Sequence, residues 1–276
     1  MPDKKTSAIE WQKEIYVNGF AGFSPKIIVD PQRLEAMAQA RLSPRAFAYL
    51  AGGAGSETTM TANRAAFEKC RIIPRMLRRV ENRDLSIELF GIRHPTPFLL
   101  SPVGVLELAH PDADVAVAKA ASRLSVPFIF SNQASRTMEE CAGVMGSSPR
   151  WFQLYWSKSK DLVASFVERA ERCGCSAIVV TLDTTMLGWR TRDLDLGYLP
   201  FLEGMGIAQY TSDPVFQKML EQPDDAPDIK RTVTLQSIRG LIGMVNRYPG
   251  VGFFRKLRTG KPLKAVRTFI STYSNP

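Results

Sequence analysis

AIVVTLDTTMLGWR, residues 177–190, is the stretch on which the fold turns. Ala177-Ile178-Val179-Val180 is a short apolar run of the kind that forms a fully buried strand. It leads into Thr181 and Asp183, with Arg190 seven positions beyond the carboxylate. Loop capping would explain one such polar strand end. A set of strands ending the same way would point to a site.

Working back from this run, the pattern repeats. PFLLSPVG (97–104) is an apolar run, and DADVAVAKAASRL (112–124) reads as an amphipathic helix capped by Asp112. PFIFSNQ (127–133) is followed by a short helix in RTMEECAGVM (136–145). WFQLYW (151–156) is followed by a helix in KDLVASFVERAERCG (160–174), with Leu162, Phe166, Val167 and Ala170 on one stripe. Strand and helix alternating at this spacing predict βα units and a parallel sheet. Units of equal length, with no GxGxxG after the first strand, favour a barrel over an open doubly wound sheet. All four strands end in polar groups or Gly: Ser101, Val103 and Gly104; Ser131, Asn132 and Gln133; Gln153 and Tyr155; Thr181 and Asp183. Active sites of such folds lie at the carboxyl ends of strands, so capping alone is a poor account of four in succession.

Upstream, Asp30 and Pro31 open a helix with Leu34, Met37, Ala38 and Leu42 on one face, and a second helix covers Pro44 to Leu50. AGGAGSE (51–57) is a Gly-rich break, and residues 70–93 are looser and charged. The chain thus divides into a helical extension and pre-barrel segment (1–93), four βα units (94–222) and a basic mobile loop or lid (223–276). The net charge of +9 is concentrated in that tail: residues 229–276 hold ten Lys or Arg and no Asp or Glu, leaving −1 for residues 1–228. The tail's Phe253, Phe254, Leu257, Leu263, Val266 and Phe269 interleave with the charges. It therefore reads as a solvated lid or as a surface for an anionic membrane or acidic partner. No motif supports nucleic-acid binding. Cys70, Cys141, Cys173 and Cys175 lack metal-ligand spacing and suit idle thiols in a reducing compartment. With no 18-residue apolar window and no secretory or terminal address signal, a cytoplasmic protein is expected.

SPVG, AHPDAD, FSNQAS, WFQLYW, TLDT and GWRTRD, in this order, resemble the FMN-dependent 2-hydroxy-acid oxidase and dehydrogenase family. YLAGGAGSE and ANRAAF match upstream, and GWRTRDLDLGYLPFLEGMGIAQYTSDPVFQ (188–217) is most similar to the lactate 2-monooxygenase branch. The resemblance covers roughly residues 10 to 220 and implies a (β/α)8 TIM barrel with FMN at the mouth. Val103 and Gly104 would lie against the flavin, and Ser131, Gln153 and Thr181 would hydrogen-bond its edge. Tyr49 and Tyr155 would face the substrate, Tyr155 bonding its hydroxyl. Arg190 would hold the substrate carboxylate, a group suited to a planar guanidinium, and Asp183 would orient a catalytic His. Gln133 stands where many relatives carry a bulky apolar residue, which leaves the substrate's side chain open. Local readings stand beside these: Tyr155 as an ordinary barrel aromatic, and Arg190 paired with Asp193 or Asp195.

The family's flavin-contacting Lys, its SNHGGRQ-like motif with the catalytic base, and its phosphate strands are not in these 276 residues. The resemblance implies oxidation of a small, lactate-like L-2-hydroxy acid to the 2-keto acid, with oxygen as acceptor. Only the first four of eight units are expected here. His94, in GIRHPTP, suits a surface turn, and His110 follows the first strand without a catalytic context. Half a barrel leaves strand edges unpaired, so homo-oligomerisation or a complementing half-barrel is expected. A non-catalytic, truncated relative acting as a binding or regulatory partner is the second reading.

Overall fold

The computed structural model describes residues 8–79, 84–184, 186–222 and 233–273. The chain falls into two units, residues 1–51 and 52–276. The first unit holds α1 (Ala8–Phe20), α2 (Pro31–Arg41) and α3 (Pro44–Ala51). As the sequence predicts, Asp30 caps α2 by accepting the Gln32 N–H at 2.9 Å, with Pro31 in the first turn.

The second unit opens with α4 (Thr58–Phe67) and an antiparallel hairpin, β1 (Ile87–Leu89) with β2 (Ile92–His94). The hairpin buries His94 almost completely, so this histidine does not occupy the expected surface turn. Phe90, at the hairpin's tip, packs edge-on against Trp151 near the start of β4. That contact puts the hairpin at the amino ends of the sheet.

The sheet is built from βα units. α5 (Ala113–Leu124), β3 (Phe128–Phe130), α6 (Met138–Met145), β4 (Arg150–Tyr155), α7 (Lys160–Arg172) and β5 (Ile178–Thr181) follow in order. β3, β4 and β5 are parallel and lie in sequence order, with Phe130 opposite Phe152 and Tyr155 opposite Thr181. The helix starts are well specified: Thr137 and Glu140 form a reciprocal capping box on α6, and Ser159 caps α7. Asp112, expected to cap α5, makes no such bond. Its backbone N–H donates instead to His110 Nδ1.

Two strand expectations are corrected. Residues 97–104 pair with β3 only through a parallel bridge at Leu100, fixed by bonds to Pro127 and Ile129. Ser101, Pro102 and Val103 then leave the sheet line. β5 is not fully buried, since Ile178 and Val180 are exposed. Among the described residues nothing pairs with its outer side, which accounts for that exposure. The result is an α/β unit with a parallel sheet and no closed barrel among the described residues.

Beyond β5 come α8 (Thr191–Asp195), a 3-10 turn (Pro200–Glu203), α9 (Ala208–Thr211) and α10 (Pro214–Met219). Where a basic loop is expected, residues 233–273 form α11 (Leu235–Arg247), α12 (Phe253–Thr259) and α13 (Lys261–Tyr273). The sequence pattern explains the difference: Val245, Ala265, Val266 and Phe269 are spaced to bury one side of two helices, and they are buried. Residues 223–232 lie outside the described residues. Phe269 packs on Phe201 and Tyr210, and Tyr210 on Phe166 and Phe216. This aromatic core seats the post-β5 segment against α7. Burying each such ring contributes roughly 1.5–3 kcal/mol.

Candidate active site

The carboxyl ends of β3, β4 and β5 converge on one hydrogen-bonded cluster. The Asn132 N–H donates to Gln153 Oε1 at 3.0 Å, and Gln153 Nε2 donates to Thr181 Oγ1 at 2.9 Å. One glutamine amide therefore joins all three strand ends. Ser131 Oγ accepts the Gln133 N–H at 3.1 Å. Asn132 Oδ1 accepts two donors, the Tyr155 N–H at 3.2 Å and the Tyr210 hydroxyl at 3.1 Å. Ser131, Asn132, Gln133 and Gln153 are all buried, while Tyr155 and Thr181 are half-buried at the rim.

The segment after Leu100 approaches this cluster closely. Gln133 O accepts the Val105 N–H at 2.9 Å. A Cβ on Gly104 would stand 3.3 Å from Gln133 Cβ, so Gly104 is a bare wall set against that side chain. Gly206, at φ +67°, closes the other side: a Cβ there would be 2.6 Å from Val105 Cγ2. Val103 is partly exposed at the edge of this wall.

Two buried amide nitrogens in the cluster, Asn132 Nδ2 and Gln133 Nε2, have no hydrogen-bond partner among the described residues. Buried donors left unsatisfied are costly and call for an acceptor. The Ser131 and Thr181 hydroxyls accept bonds within the cluster and keep their own protons to donate. The chemistry of the set is thus donor-rich, which fits the carbonyl oxygens and acceptor nitrogens along the edge of a flavin ring.

Asp183 is exposed, with a local bond from the Thr184 hydroxyl at 3.4 Å. Arg190 Nε bonds Asp193 Oδ2 at 2.5 Å. Arg190 immediately precedes α8, and a residue three positions on falls within one helical turn, which makes the local pairing favourable. Asp193 Oδ1 is buried without a partner among the described residues. Tyr49 belongs to the first unit, half-buried on α3.

The structure adds roles that the sequence reading did not assign. Asn132 is the centre of the cluster. Gln209 braces it from behind, accepting the Met138 N–H at 3.1 Å and donating to Ser131 O at 3.4 Å. The Gly-rich break is a clamp on the loop that carries Arg190: the Gly55 N–H donates to Trp189 O, the Thr191 hydroxyl to Gly55 O, and Arg192 pairs with Glu57. The Gly53 N–H, followed by Arg192, holds the Glu57 carboxyl below its usual range. Burial pushes the Cys175 thiol up to about 12 and Cys141 higher still, consistent with idle thiols.

Comparison with known proteins gives the same direction. The profile of FMN-dependent dehydrogenases matches residues 38–247. The FMN-dependent alpha-hydroxy acid dehydrogenase qulF of Penicillium citrinum is 41% identical over 213 residues, covering 77% of this chain and 53% of the relative. An L-lactate oxidase of Lysinibacillus sphaericus is 42% identical over 180 residues, covering 65% of this chain and 46% of the relative. A crystal structure of mandelate oxidase with (S)-2-phenylpropionate superposes with a TM-score of 0.63 at 37% identity, over 71% of this chain and 57% of that one. The chain spans about half the length of the relatives it matches.

Proposed function

This chain belongs to the FMN-dependent dehydrogenase family, and from that premise we propose that it forms the FMN- and substrate-facing half of a 2-hydroxy-acid oxidising site. The family's cofactor is FMN. The reading makes the three-stranded sheet part of the first half of an eightfold barrel. It rests on the Asn132–Gln153–Thr181 chain with the two unpartnered buried amide donors beside it.

Bound FMN supplies the two-electron acceptor for the hydrogen on the hydroxyl-bearing carbon. The Ser131 and Thr181 hydroxyls and the Gln133 amide would hold the ring edge as donors, with Gln153 fixing Thr181. Gly104 lets the backbone approach the ring closely. Asp193 orients the Arg190 guanidinium, which receives the carboxylate of the acid. Tyr155, seated by the bond from its N–H to Asn132, presents its hydroxyl to the substrate hydroxyl. Asp183 would orient a histidine base. Neither histidine of this sequence suits that base: His94 is buried on the hairpin, and His110 accepts a local backbone bond. A small L-2-hydroxy acid, with Gln133 as a polar wall, and oxygen as final acceptor complete the reading.

Coexpression with the C-terminal half of an L-lactate oxidase tests it. Peroxide formation from L-lactate or glycolate is expected in the pair and not in this chain alone, because general-base catalysis worth about 10²–10⁴-fold is missing. Arg190→Met and Tyr155→Phe should each remove most of the paired activity. Paired turnover indifferent to both variants, or robust turnover by the chain alone, would overturn the assignment.

A further inference from the structure

We propose that the cavity between the loop after β3 and α11 binds a small organic monoanion, a carboxylate whose charge is met by Arg136. The cavity measures about 430 Å³, in the lower part of the range for small-molecule sites. Its walls come from separate places in the chain: the turn at Glu107, Ser135 and Arg136 after β3, residues 204–211, and α11 from Gly243 to Arg247. Gly243 is needed for this closure. A Cβ there would lie 2.6 Å from Arg247 Nη1, so the bare position leaves room for Arg247 to lie along its own helix and reach Glu107 Oε2 at 2.6 Å. That ion pair ties α11 to the turn and holds the cavity's rim. Gly206, which closes the amide cluster on one side, also lines the cavity, so the two share a wall.

The charges around the cavity select the ligand, because they do not cancel. Two arginines, Arg136 and Arg247, face one carboxylate, Glu107, which leaves +1 in the lining. Arg247 is engaged on both prongs, with Glu107 and with Glu203 O at 3.2 Å. Arg136 forms no ion pair among the described residues and spends one donor, Nη2, on Pro111 O at 3.1 Å. A guanidinium has five donors, and those that remain suit the two oxygens of a carboxylate. The base of this side chain is fixed, since the Arg136 N–H donates to the buried Asp114 Oδ2 at 3.0 Å. Beside it, Ser135 Oγ accepts the Glu107 N–H at 3.2 Å and keeps its own proton to donate. Pro111, Ile207, Met244 and Pro262 offer apolar surface to the carbon chain of the ligand. One negative charge balances the lining, whereas a dianion would bring its second charge against Glu107. Tyr155, Thr181 and Arg190 do not border the cavity, which separates it from the substrate-facing residues.

Isothermal titration of the 276-residue chain, without flavin, tests this with 3-methylbutanoate and its uncharged analogue 3-methylbutanamide. The carboxylate is expected to bind, and the amide to bind about tenfold or more weakly, the difference a charge-assisted bond supplies. Arg136→Gln should weaken the carboxylate by a similar factor, and Arg136→Lys should recover part of the loss. Arg136 is exposed, so both variants should melt at the parent's temperature. Ala208→Leu, which fills the cavity from α9 and leaves Arg136 in place, should remove binding as well. Arg190→Met should leave it unchanged. Equal affinity for acid and amide, or binding kept in both Arg136→Gln and Ala208→Leu, would overturn the proposal. Binding lost in Arg190→Met and kept in Arg136→Gln would overturn it in favour of the substrate-facing residues. Inorganic phosphate binding more tightly than 3-methylbutanoate would overturn the assignment to a monocarboxylate. No 3-methylbutanoate binding at up to about 10 mM, ten times a weak millimolar Kd, would overturn the site itself.

Discussion

Asp114 is buried beneath the loop after β3, where its Oδ2 accepts the Ser135 and Arg136 N–H groups at 2.9 and 3.0 Å. Burial outweighs those bonds and raises its carboxyl to about 6 from 3.8. A folded-state value above the unfolded one gives stability that is full below about pH 4 and lost as pH rises through about 6, roughly 3 kcal/mol for this group. Asp114→Asn keeps an acceptor for both N–H groups and removes the titration. The variant should therefore match or exceed the parent's Tm at pH 7.5 and fall behind it near pH 4. A Tm difference that does not change with pH would refute this. Asn132→Ala would remove the acceptor that the Tyr210 hydroxyl and the Tyr155 N–H share, at a cost of about 1–3 kcal/mol for the buried bond. Urea unfolding should show a lower midpoint at unchanged m-value. Ser131, Gln133, Gln153 and Thr181 were legible as site candidates because polar groups at the ends of apolar runs need a reason to be there. The role of Asn132 was not, since its partner Tyr210 lies 78 positions away and nothing in the local pattern joins them.

Among elements, α7 and the post-β5 segment are joined by one buried charge network. Arg169 meets Glu139 at 2.9 Å and Asp213 at 3.1 Å, and donates to Gln209 O at 2.7 Å, while Ser165 also bonds Asp213. Asp213 in turn caps α10 through the Val215 and Phe216 N–H groups. Arg169→Met would leave the fully buried Asp213 uncompensated and should cost about 3–5 kcal/mol, measured as a fall in ΔG of unfolding. At the other side of the sheet, Val180→Lys places a charge on the open strand and should reduce self-association in sedimentation velocity without lowering Tm. The βα alternation was readable from periodicity, since α5, α6 and α7 fall where the amphipathic patterns place them. The first apolar run was not readable as irregular, because composition cannot distinguish a paired strand from an extended edge held at Leu100. Nor were α11–α13 separable from a lid by Gly and Pro content alone. Their burial depends on the aromatic seat formed by Phe201 and Tyr210.

At the scale of the molecule, the proposed flavin-facing half-site stands without the family's phosphate-binding strands in these 276 residues. Titrating FMN with the 276-residue chain should show little quenching of flavin fluorescence, and coexpression with a complementing half-barrel should restore stoichiometric yellow protein. Tight stoichiometric FMN on the chain alone would contradict this. The sequence order of the sheet also bears on how the protein is made. β3 pairs with the bridge residue Leu100, β4 with β3 and β5 with β4, so each strand pairs with the segment translated before it. Contacts between close neighbours in sequence carry low loop-closure entropy and form early. On the ribosome, each unit emerging from the exit tunnel meets a template already laid down, and the unpaired margin advances with the nascent chain. The newest strand is always the adhesive one, so the hazard of misassembly moves along the polypeptide during synthesis and is greatest wherever translation pauses after a strand.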